Sequence, residues 1–158
     1  MTKNTISIDA LDRRLLRAVQ ERCTLTADEL AEKCGTSAST ALRRLSRLRS
    51  SGVINREVAL IDGSSVGRPL TVFVSVRLER EDGRALDAFI RRVAGHPAVQ
   101  QFYFVTGTTD YVMVLNLASM EEYDEFLQQN LVRDPIVIMT DTNVVIRPLK
   151  RTLAVPIA

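Results

Sequence analysis

The residues with the clearest chemistry are arginines that lie in a stretch without acids. Between Glu32 and Glu57 the sequence has no aspartate or glutamate, yet it holds Arg43, Arg44, Arg47, Arg49 and Arg56. A guanidinium group pairs well with phosphate and can donate two hydrogen bonds to the edge of a guanine. The stretch therefore favours contact with a polyanion, and double-stranded DNA is the first candidate.

Hydroxyl groups precede these cations on the same predicted helix. At about 100° per residue, Arg43 and Arg47 fall with the hydroxyl residues opposite the apolar stripe of Ala41, Leu45 and Leu48. Arg44 and Arg49 lie on the flanks. The helix dipole favours phosphate near the helix start. The candidate DNA-contacting residues are Ser37, Ser39, Thr40, Arg43, Arg44 and Arg47. The alternative is a solvated arginine face on an ordinary helical bundle. The charges leave the two open, and the hydroxyl groups favour DNA.

A second group of polar residues lies in the other half of the chain. Gly107-Thr108-Thr109-Asp110 and Thr140-Asp141-Thr142-Asn143 are rich in hydrogen-bonding groups and adjoin apolar runs. This combination suits a pocket for a small zwitterion, in which backbone N–H groups near Gly107 receive a carboxylate and Asp110 receives an ammonium. The alternative is a plain hairpin turn followed by a loop, and composition does not decide between them.

Three short helices must position the arginines. Each has a capping residue at its start: Ser7 or Asp9, then Thr26 paired with Glu29, then Ser37. Gly35 and Gly52 are expected to end the second and third helices. Two short extended segments follow, at 53–54 and 58–61, and they suit a small wing. The pattern predicts a winged helix-turn-helix over residues 1–61.

The hydrophobic period changes after residues 62–69, which are rich in turn formers and predict a linker. Strands are predicted at 70–78, 99–106, 111–117 and 142–149, with helices around 86–93 and from Ser119 onward. The order β-α-β-β-α-β is the split βαβ arrangement of ferredoxin-like folds. The expected fold class is α+β, with the winged helix-turn-helix followed by a ferredoxin-like domain over 70–158.

One face of such a sheet is left uncovered by its two helices. The candidates for this face are partly apolar: Phe73, Phe102 or Tyr103, and Val112 or Tyr111. A second copy of the chain is the simplest cover for an apolar sheet face. A dimer would also carry two DNA-reading heads that can match a two-fold operator.

Composition limits the remaining function classes. Residues 1–60 carry eleven Lys/Arg against seven Asp/Glu, whereas residues 61–158 carry ten against twelve, so the basic half is the candidate for DNA. No apolar run approaches the roughly 20 residues of a membrane helix, and the start lacks a signal core, so we expect a cytoplasmic protein without a membrane partner.

Cys23 and Cys34 are expected on helices as small core residues, with a redox switch as the alternative. His96 is the lone histidine, in a Gly-His-Pro turn, so we expect no metal site and no cofactor.

Several motifs occur in register along the chain. The first half carries Ile8-Asp9-Ala10-Leu11-Asp12-Arg13-Arg14-Leu15-Leu16, Ser37-x-Ser39-Thr40, Arg44-Leu45-x-x-Leu48 and Gly52-Val53-Ile54. The second half carries Val105-Thr106-Gly107-x-x-Asp110-Tyr111, Thr140-x-Thr142 and Leu153-Ala154-Val155-Pro156-Ile157. Together they resemble the Lrp/AsnC, or feast/famine, family of amino-acid-responsive transcriptional regulators.

The resemblance implies an N-terminal DNA-binding domain and a C-terminal domain for dimerisation and effector binding. It also implies that dimers assemble into tetramers or octamers, with a small amino-acid effector bound between dimers. By position, the effector pocket would use Gly107, Thr108, Thr109, Asp110, Tyr111, Thr140 and Thr142. Arg147-Pro148 stands where relatives often carry acidic or neutral residues, and Met139 with Asn143 alters the pocket wall. The identity of the effector therefore does not transfer.

Two further function classes compete with a DNA-binding regulator. A few proteins that resemble this family are sirohaem decarboxylases, but such chemistry would need a proton donor beside a large pocket. The chain shows no paired carboxylates, nucleophile–base pair or phosphate-cradling glycine loop, and His96 lies in a turn, so we do not expect an enzyme. The other class is an oligomeric amino-acid-binding module with an inactive helix-turn-helix, which the cationic helix face argues against.

Overall fold

The chain divides into two units in the computed structural model, which describes residues 7–79 and 83–158. The first unit comprises the residues up to Ala59 together with Lys150–Ala158, and the second comprises Leu60–Leu149. Each unit has its own cluster of buried apolar side chains.

Side-chain caps define the three helices of the first unit, which are α1 (Ala10–Glu21), α2 (Ala27–Cys34) and α3 (Ala38–Ser50). Their side-chain oxygens accept hydrogen bonds from backbone N–H groups that have no partner within the helix. The caps are Asp9, Thr26 and Ser37, and the first two form reciprocal boxes with Asp12 and Glu29. Gly35 and Gly52 follow α2 and α3 with φ of 62° and 75°, a conformation that favours glycine. The predicted helix starts and stops are confirmed.

The apolar stripe of α3 lies in the core of the first unit. Ala41, Leu45 and Leu48 are buried there, as the helical spacing predicts. Their partners come from the other two helices: Leu15, Leu16, Ala18, Leu30 and Cys34. The polar side of α3 is thereby left facing solvent.

The two segments predicted to form a small wing are not hydrogen-bonded as a sheet, and residues 53–61 form no β-strand in the structure. The half-buried Ile54 donates its backbone N–H to the Leu48 carbonyl at 3.0 Å. Beyond it, Val58, Leu60 and Ile61 are exposed. The predicted wing therefore consists here of chain without strand pairing.

The second unit is built on an antiparallel sheet with strand order β2-β3-β1-β4. The strands and helices in chain order are β1 (Leu70–Leu78), α4 (Gly83–Ala94), β2 (Val99–Phe104), β3 (Tyr111–Leu117), α5 (Met120–Leu127) and β4 (Val137–Val144). This is the predicted ferredoxin-like arrangement. Val72, Val74 and Val76 of β1 are fully buried in one cluster with Phe89 of α4 and Phe126 of α5. The helices therefore cover one face, and Phe73, Ser75 and Arg77 alternate onto the open face.

The last strand starts earlier than predicted. It covers Val137–Val144 rather than 142–149, pairing from Leu78 opposite Val137 to Val72 opposite Val144. The backbone N–H of Val145 still donates to the Thr71 carbonyl at 2.9 Å. Pro148 lies beyond this point and has no N–H to donate to a sheet.

The predicted linker is an ordered turn. Ser64–Val66 form a single 3-10 turn, and the Asp62 carboxylate accepts hydrogen bonds from both the N–H and the hydroxyl of Ser65, at 3.0 and 2.6 Å. Asn116 of β3 donates its side-chain amide to the Arg68 carbonyl at 3.2 Å. These bonds attach the turn to the sheet.

The segment Lys150–Ala158, which the sequence places in the second domain, belongs to the first unit. Arg17 of α1 donates two hydrogen bonds to the Ile157 carbonyl, at 3.1 and 2.8 Å. Gln20 exchanges a pair of hydrogen bonds with the Val155 backbone, at 3.1 and 2.8 Å. Ile157 also packs against the first unit's core. The segment extends the surface of α1, a long-range contact that no local pattern predicts.

Candidate DNA-contacting and effector-binding surfaces

The start of α3 presents its hydroxyl groups at the surface. Ser37 is exposed and serves as the cap, because its oxygen accepts the Thr40 N–H at 3.3 Å while its hydroxyl donates to the Thr40 oxygen at 2.8 Å. Ser39 is exposed, with its oxygen 3.3 Å from that of Ser37. Thr40 is half-buried. The predicted hydroxyls therefore lie together, and two of them are already engaged with each other.

Two of the predicted arginines contact a buried acid instead of facing solvent freely. Asp12 of α1 is fully buried and accepts a hydrogen bond from Arg47. Arg44 donates to both Asp12 oxygens at 3.4 Å and to Asp9 at 2.6 Å. We call these four residues the Asp12 cluster. A buried carboxylate is tolerated only when cations and donors compensate its desolvation. Arg44 and Arg47 therefore hold α3 against the start of α1.

The cap of α1 belongs to the same cluster. Backbone hydrogen bonding from Asp12, followed by the Arg44 guanidinium, holds the pKa of Asp9 below its ordinary value. Hydrogen bonding to Asp9 correspondingly raises the pKa of Arg44. Both shifts favour the charged forms of Asp9 and Arg44, so this pair keeps its charges at neutral pH.

Arg43 differs from its neighbours on α3. Arg44 and Arg47 contact the Asp12 cluster's acids and Arg49 pairs with Glu57 at 2.9 Å. Arg43 is exposed and, within the described chain, makes no ion pair. It is thus the α3 arginine whose charge is fully available to an external anion. The sequence does not show which arginines of α3 pair with acids and which does not. An acid at position 12, between the apolar positions 11 and 15, nevertheless indicates a buried carboxylate that needs a partner.

The loop between β2 and β3 holds four of the predicted effector residues, and the fifth, Tyr111, begins β3. Gly107 is exposed with φ of 122°, and Thr108 is exposed beside it. The Thr109 hydroxyl donates to the Val76 carbonyl at 2.7 Å. The buried Asp110 carboxylate accepts the Leu78 N–H at 3.0 Å. Thr109 and Asp110 therefore fasten the loop to the end of β1.

Tyr111 lies in the aromatic core of the second unit. Its ring centroid is 5.2 Å from those of Phe102 and Phe104 and 6.1 Å from that of Phe89. Among the open-face candidates, Phe102 and Tyr111 thus belong to the helix side. Phe73 and Tyr103 are exposed.

Thr140 and Thr142 of β4 lie away from the open face. They pair with Val76 and Val74, whose side chains point to the helices. The Thr142 hydroxyl is hydrogen-bonded to that of Tyr123 in α5. The residues of β4 that share the open face with Ser75 and Arg77 are the alternate ones, Met139 and Asp141.

A pocket of about 290 Å³ opens where the β2–β3 loop meets β1 and β4. It is lined by Ser75, Arg77, Thr108, Thr109, Met139 and Asp141. Of the predicted effector residues it brings together Thr108 and Thr109. Arg77 and Asp141 give the pocket one cation and one anion. Asp141 lies in the segment 140–143 that the sequence suggested for the pocket but is not among the seven predicted residues, and Arg77 was not predicted. Period-two alternation along β1 and β4 was the signal that placed them on one face.

The cysteines and the lone histidine do not form a second site. Cys34 is buried, and burial raises the pKa of its thiol, whereas Cys23 is exposed in the turn after α1. The expectation of a core residue is confirmed for Cys34 and wrong for Cys23. Across residues 7–79 and 83–158, no three His, Cys, Asp or Glu side chains are grouped to hold a metal ion. In that same part of the chain, no helix has the length and apolar character to span a membrane.

The first unit has three capped helices, of which the third is cationic, and the second unit has a ferredoxin-like sheet with a pocket. This combination defines the class of helix-turn-helix regulators that carry a ligand-binding domain. Comparison with known protein families supports this class. Residues 8–55 match the winged helix-turn-helix DNA-binding family, and residues 71–155 match the Lrp/AsnC ligand binding domain.

Individual relatives resemble the chain over almost its whole length. The HTH-type transcriptional regulator y4tD of Sinorhizobium fredii is 40% identical over 152 residues, which is 96% of this chain and 90% of the relative. An AsnC family transcriptional regulator from Agrobacterium tumefaciens has 32% identity and a TM-score of 0.87, covering 94% and 96% of the two chains. The regulator NMB0573 of Neisseria meningitidis, solved in complex with L-Met, has 29% identity and a TM-score of 0.90, covering 95% and 97%. The chain belongs to the Lrp/AsnC family and is a DNA-binding transcriptional regulator.

Proposed function

We propose that the protein binds specific operator sequences through α3 and that a small amino acid bound in the second unit changes its assembly or its DNA affinity. The observation that carries the DNA-binding part is the free charge of Arg43 beside exposed serines. In this proposal residues 1–61 form the DNA-binding domain, 62–69 connect it, and 70–158 sense the effector, although Lys150–Ala158 pack with the first unit.

The six predicted α3 residues take different roles in the proposal. Arg43 and Ser39 are exposed on the polar side of the helix and would contact base edges or phosphates. Ser37 and Thr40 cap the helix start, where backbone N–H groups and the dipole favour a phosphate. Arg44 and Arg47 hold the helix in place, and the N–H donors that they expose to solvent would serve phosphates. The Nε of Arg44 is buried and is not among them.

The open sheet face is the proposed dimer surface. Phe73 is 42% exposed and Tyr103 is 51% exposed, so the face carries accessible apolar and aromatic area. A second copy of the chain would bury it and would bring two α3 helices to one operator. Tetramers or octamers of such dimers, as the family resemblance implies, complete the proposed assembly.

An amino acid is the proposed effector because the pocket is small and contains both signs of charge. The Neisseria relative was solved with L-Met. Of the seven effector-binding residues predicted from the sequence, Thr108 and Thr109 line the pocket. Gly107 would give the loop its shape, Asp110 and Tyr111 would anchor it, and Thr140 and Thr142 would support β4.

Selection from a random pool of DNA duplexes tests the proposal. An enriched duplex should bind the full chain more tightly than a scrambled duplex of equal length, and binding should weaken as salt rises. Adding each common amino acid should change the mass measured by light scattering or the DNA affinity for at least one of them. Equal affinity for all duplexes would contradict operator recognition, and absence of DNA binding would favour an amino-acid-binding module.

A further inference from the structure

The carboxylate of Asp9, at the start of α1, contacts an arginine of the proposed DNA-contacting helix. It accepts a hydrogen bond from the Arg44 guanidinium at 2.6 Å. We propose that Asp9 is a specificity-determining residue, because it holds Arg44, offsets its charge and so limits sequence-independent binding to DNA phosphates. This rests on the proposed contact of α3 with DNA, and it gives an acid on a different helix a role in discriminating between duplexes.

Acids from outside α3 offset most of the charge on that helix. The helix carries four arginines and no acid. Three of the four arginines pair with acids that lie on or before α1 or beyond the end of α3. Within the described residues the fourth, Arg43, makes no ion pair. The net charge that this surface presents to a polyanion is therefore much smaller than the number of arginines suggests.

The position of Arg44 is imposed by the acids around it. Its side chain is 24% exposed, and it reaches both oxygens of the buried Asp12 at 3.4 Å in addition to Asp9. Its Nε is buried and has no hydrogen-bond partner among the described residues. A buried N–H without a partner is costly, so the arginine's own hydrogen bonds do not explain why it lies there. Attraction to the two carboxylates does.

Holding a cation in one place matters for how DNA is discriminated. Contacts to phosphate carry no sequence information directly, and they supply nearly all of sequence-independent binding. A guanidinium that is held in one position contacts a phosphate only where α3 lies in one register on the duplex. A guanidinium that is free to move can follow the phosphates in any register. Release of Arg44 should therefore strengthen binding to unrelated DNA more than binding to the operator.

Asp9 allows the charge to be removed without removing the helix cap. Its side chain is 47% exposed, and it caps α1 by accepting the Asp12 N–H at 2.9 Å. Asparagine and serine cap helices about as well as aspartate does. Either replacement would leave the single carboxylate of Asp12 facing two guanidiniums, those of Arg44 and Arg47. Asp12 itself is fully buried, so its replacement would disturb the packing as well as the charge.

The test is fluorescence anisotropy of the full chain with the enriched duplex and with a scrambled duplex, over a range of salt concentrations. Asp9→Asn should bind the scrambled duplex about two- to tenfold more tightly at low salt, and the slope of log K against log salt should steepen by up to about 0.9, the value for one added phosphate contact. The enriched duplex should gain less, so the preference for it should fall. Asp9→Ser should behave in the same way, and both variants should keep the melting temperature of the unaltered protein.

Two further variants separate the release of Arg44 from a general change of charge. Asp28→Asn removes an exposed acid that makes no ion pair within the described chain, and it should change the affinity for the scrambled duplex less than twofold. Adding Arg44→Gln to Asp9→Asn should abolish the gain, because the released cation is then missing.

Unchanged affinity for the scrambled duplex in both Asp9 variants would overturn the assignment and leave operator recognition intact. An equal gain in Asp28→Asn, or a gain that persists without Arg44, would also overturn it. If the unaltered protein binds the enriched and scrambled duplexes equally, operator recognition and the assignment both fail.

Discussion

Arg47 on α3 donates a hydrogen bond to the carboxylate of Asp12, which is fully buried in α1. The arginine side chain is 41% exposed, so its far side remains open to solvent. One guanidinium therefore faces both the interior of the first unit and the surface proposed for DNA. The angle at which α3 is presented depends on this contact, because the partner carboxylate cannot move into water without unpacking α1.

Arg47→Ala should lower the free energy of unfolding of the full chain by about 1–3 kcal/mol. The change removes a donor from a buried carboxylate, and a buried group that loses its partner pays its desolvation cost. Urea denaturation followed by circular dichroism measures the effect. Arg43→Ala is the matched control, since that arginine is exposed and makes no ion pair in the described chain. Equal stabilities of the two variants would refute a structural role for Arg47.

Arg43→Ala should weaken binding to the enriched operator by about 1–3 kcal/mol if the guanidinium reads a base. Melting temperature should stay at the original value, because no internal contact is lost. Fluorescence anisotropy with the operator and with single-base variants tests for a base contact, which should relax specificity at one position. A uniform loss across all duplexes would instead indicate a phosphate contact.

Asp110→Ala should destabilise the second unit by about 1–3 kcal/mol, since the buried Leu78 N–H loses its acceptor. The sequence suggests a different outcome, namely lost effector response with the fold intact. Thermal unfolding distinguishes the two, with Asp141→Ala as the comparison variant because Asp141 is exposed. An Asp110→Ala protein of unaltered stability would return Asp110 to the list of ligand-binding residues.

Lowering the pH should weaken the contacts of the Glu122 carboxylate, which hold α5 and the 62–69 turn to the sheet. The Ala118 N–H, at 2.7 Å, and then Arg68 hold the pKa of Glu122 below its ordinary value of 4.5. A lowered pKa contributes stability that is present above pH 4.5 and is lost as pH falls through the folded-state value. Glu122→Gln should therefore lose less melting temperature than the unaltered protein between pH 6 and pH 3.5. Identical losses in both proteins would contradict this.

Local signals in the sequence predict much of the fold. Thr26 with Glu29 marks a helix start and Gly35 its end, because capping uses residues within one turn of each other. The alternation of Val72, Val74 and Val76 likewise fixes which side of β1 is buried. These features depend on neighbours a few positions away, and the structure has them where they are expected.

The remaining features depend on contacts between distant residues. The start of β4 follows from its register with β1, and the docking of Ile157 follows from Arg17 on a helix far away in sequence. The pocket shows the same limit. Composition points to the loop at 107–110, whereas register across two strands brings Arg77 and Asp141 together, and one sequence carries no direct record of strand pairing.

The path of the chain through the two units has a consequence for synthesis. A ribosome makes α1 early, yet the residues that satisfy Arg17 and Gln20 on its surface are made only after all of Leu60–Leu149. Domains usually fold in the order in which they emerge. Here the helical unit can acquire its native contacts in full only after the sheet of the second unit has been translated. A nascent chain that has just exposed α3 thus carries an incomplete DNA-binding unit.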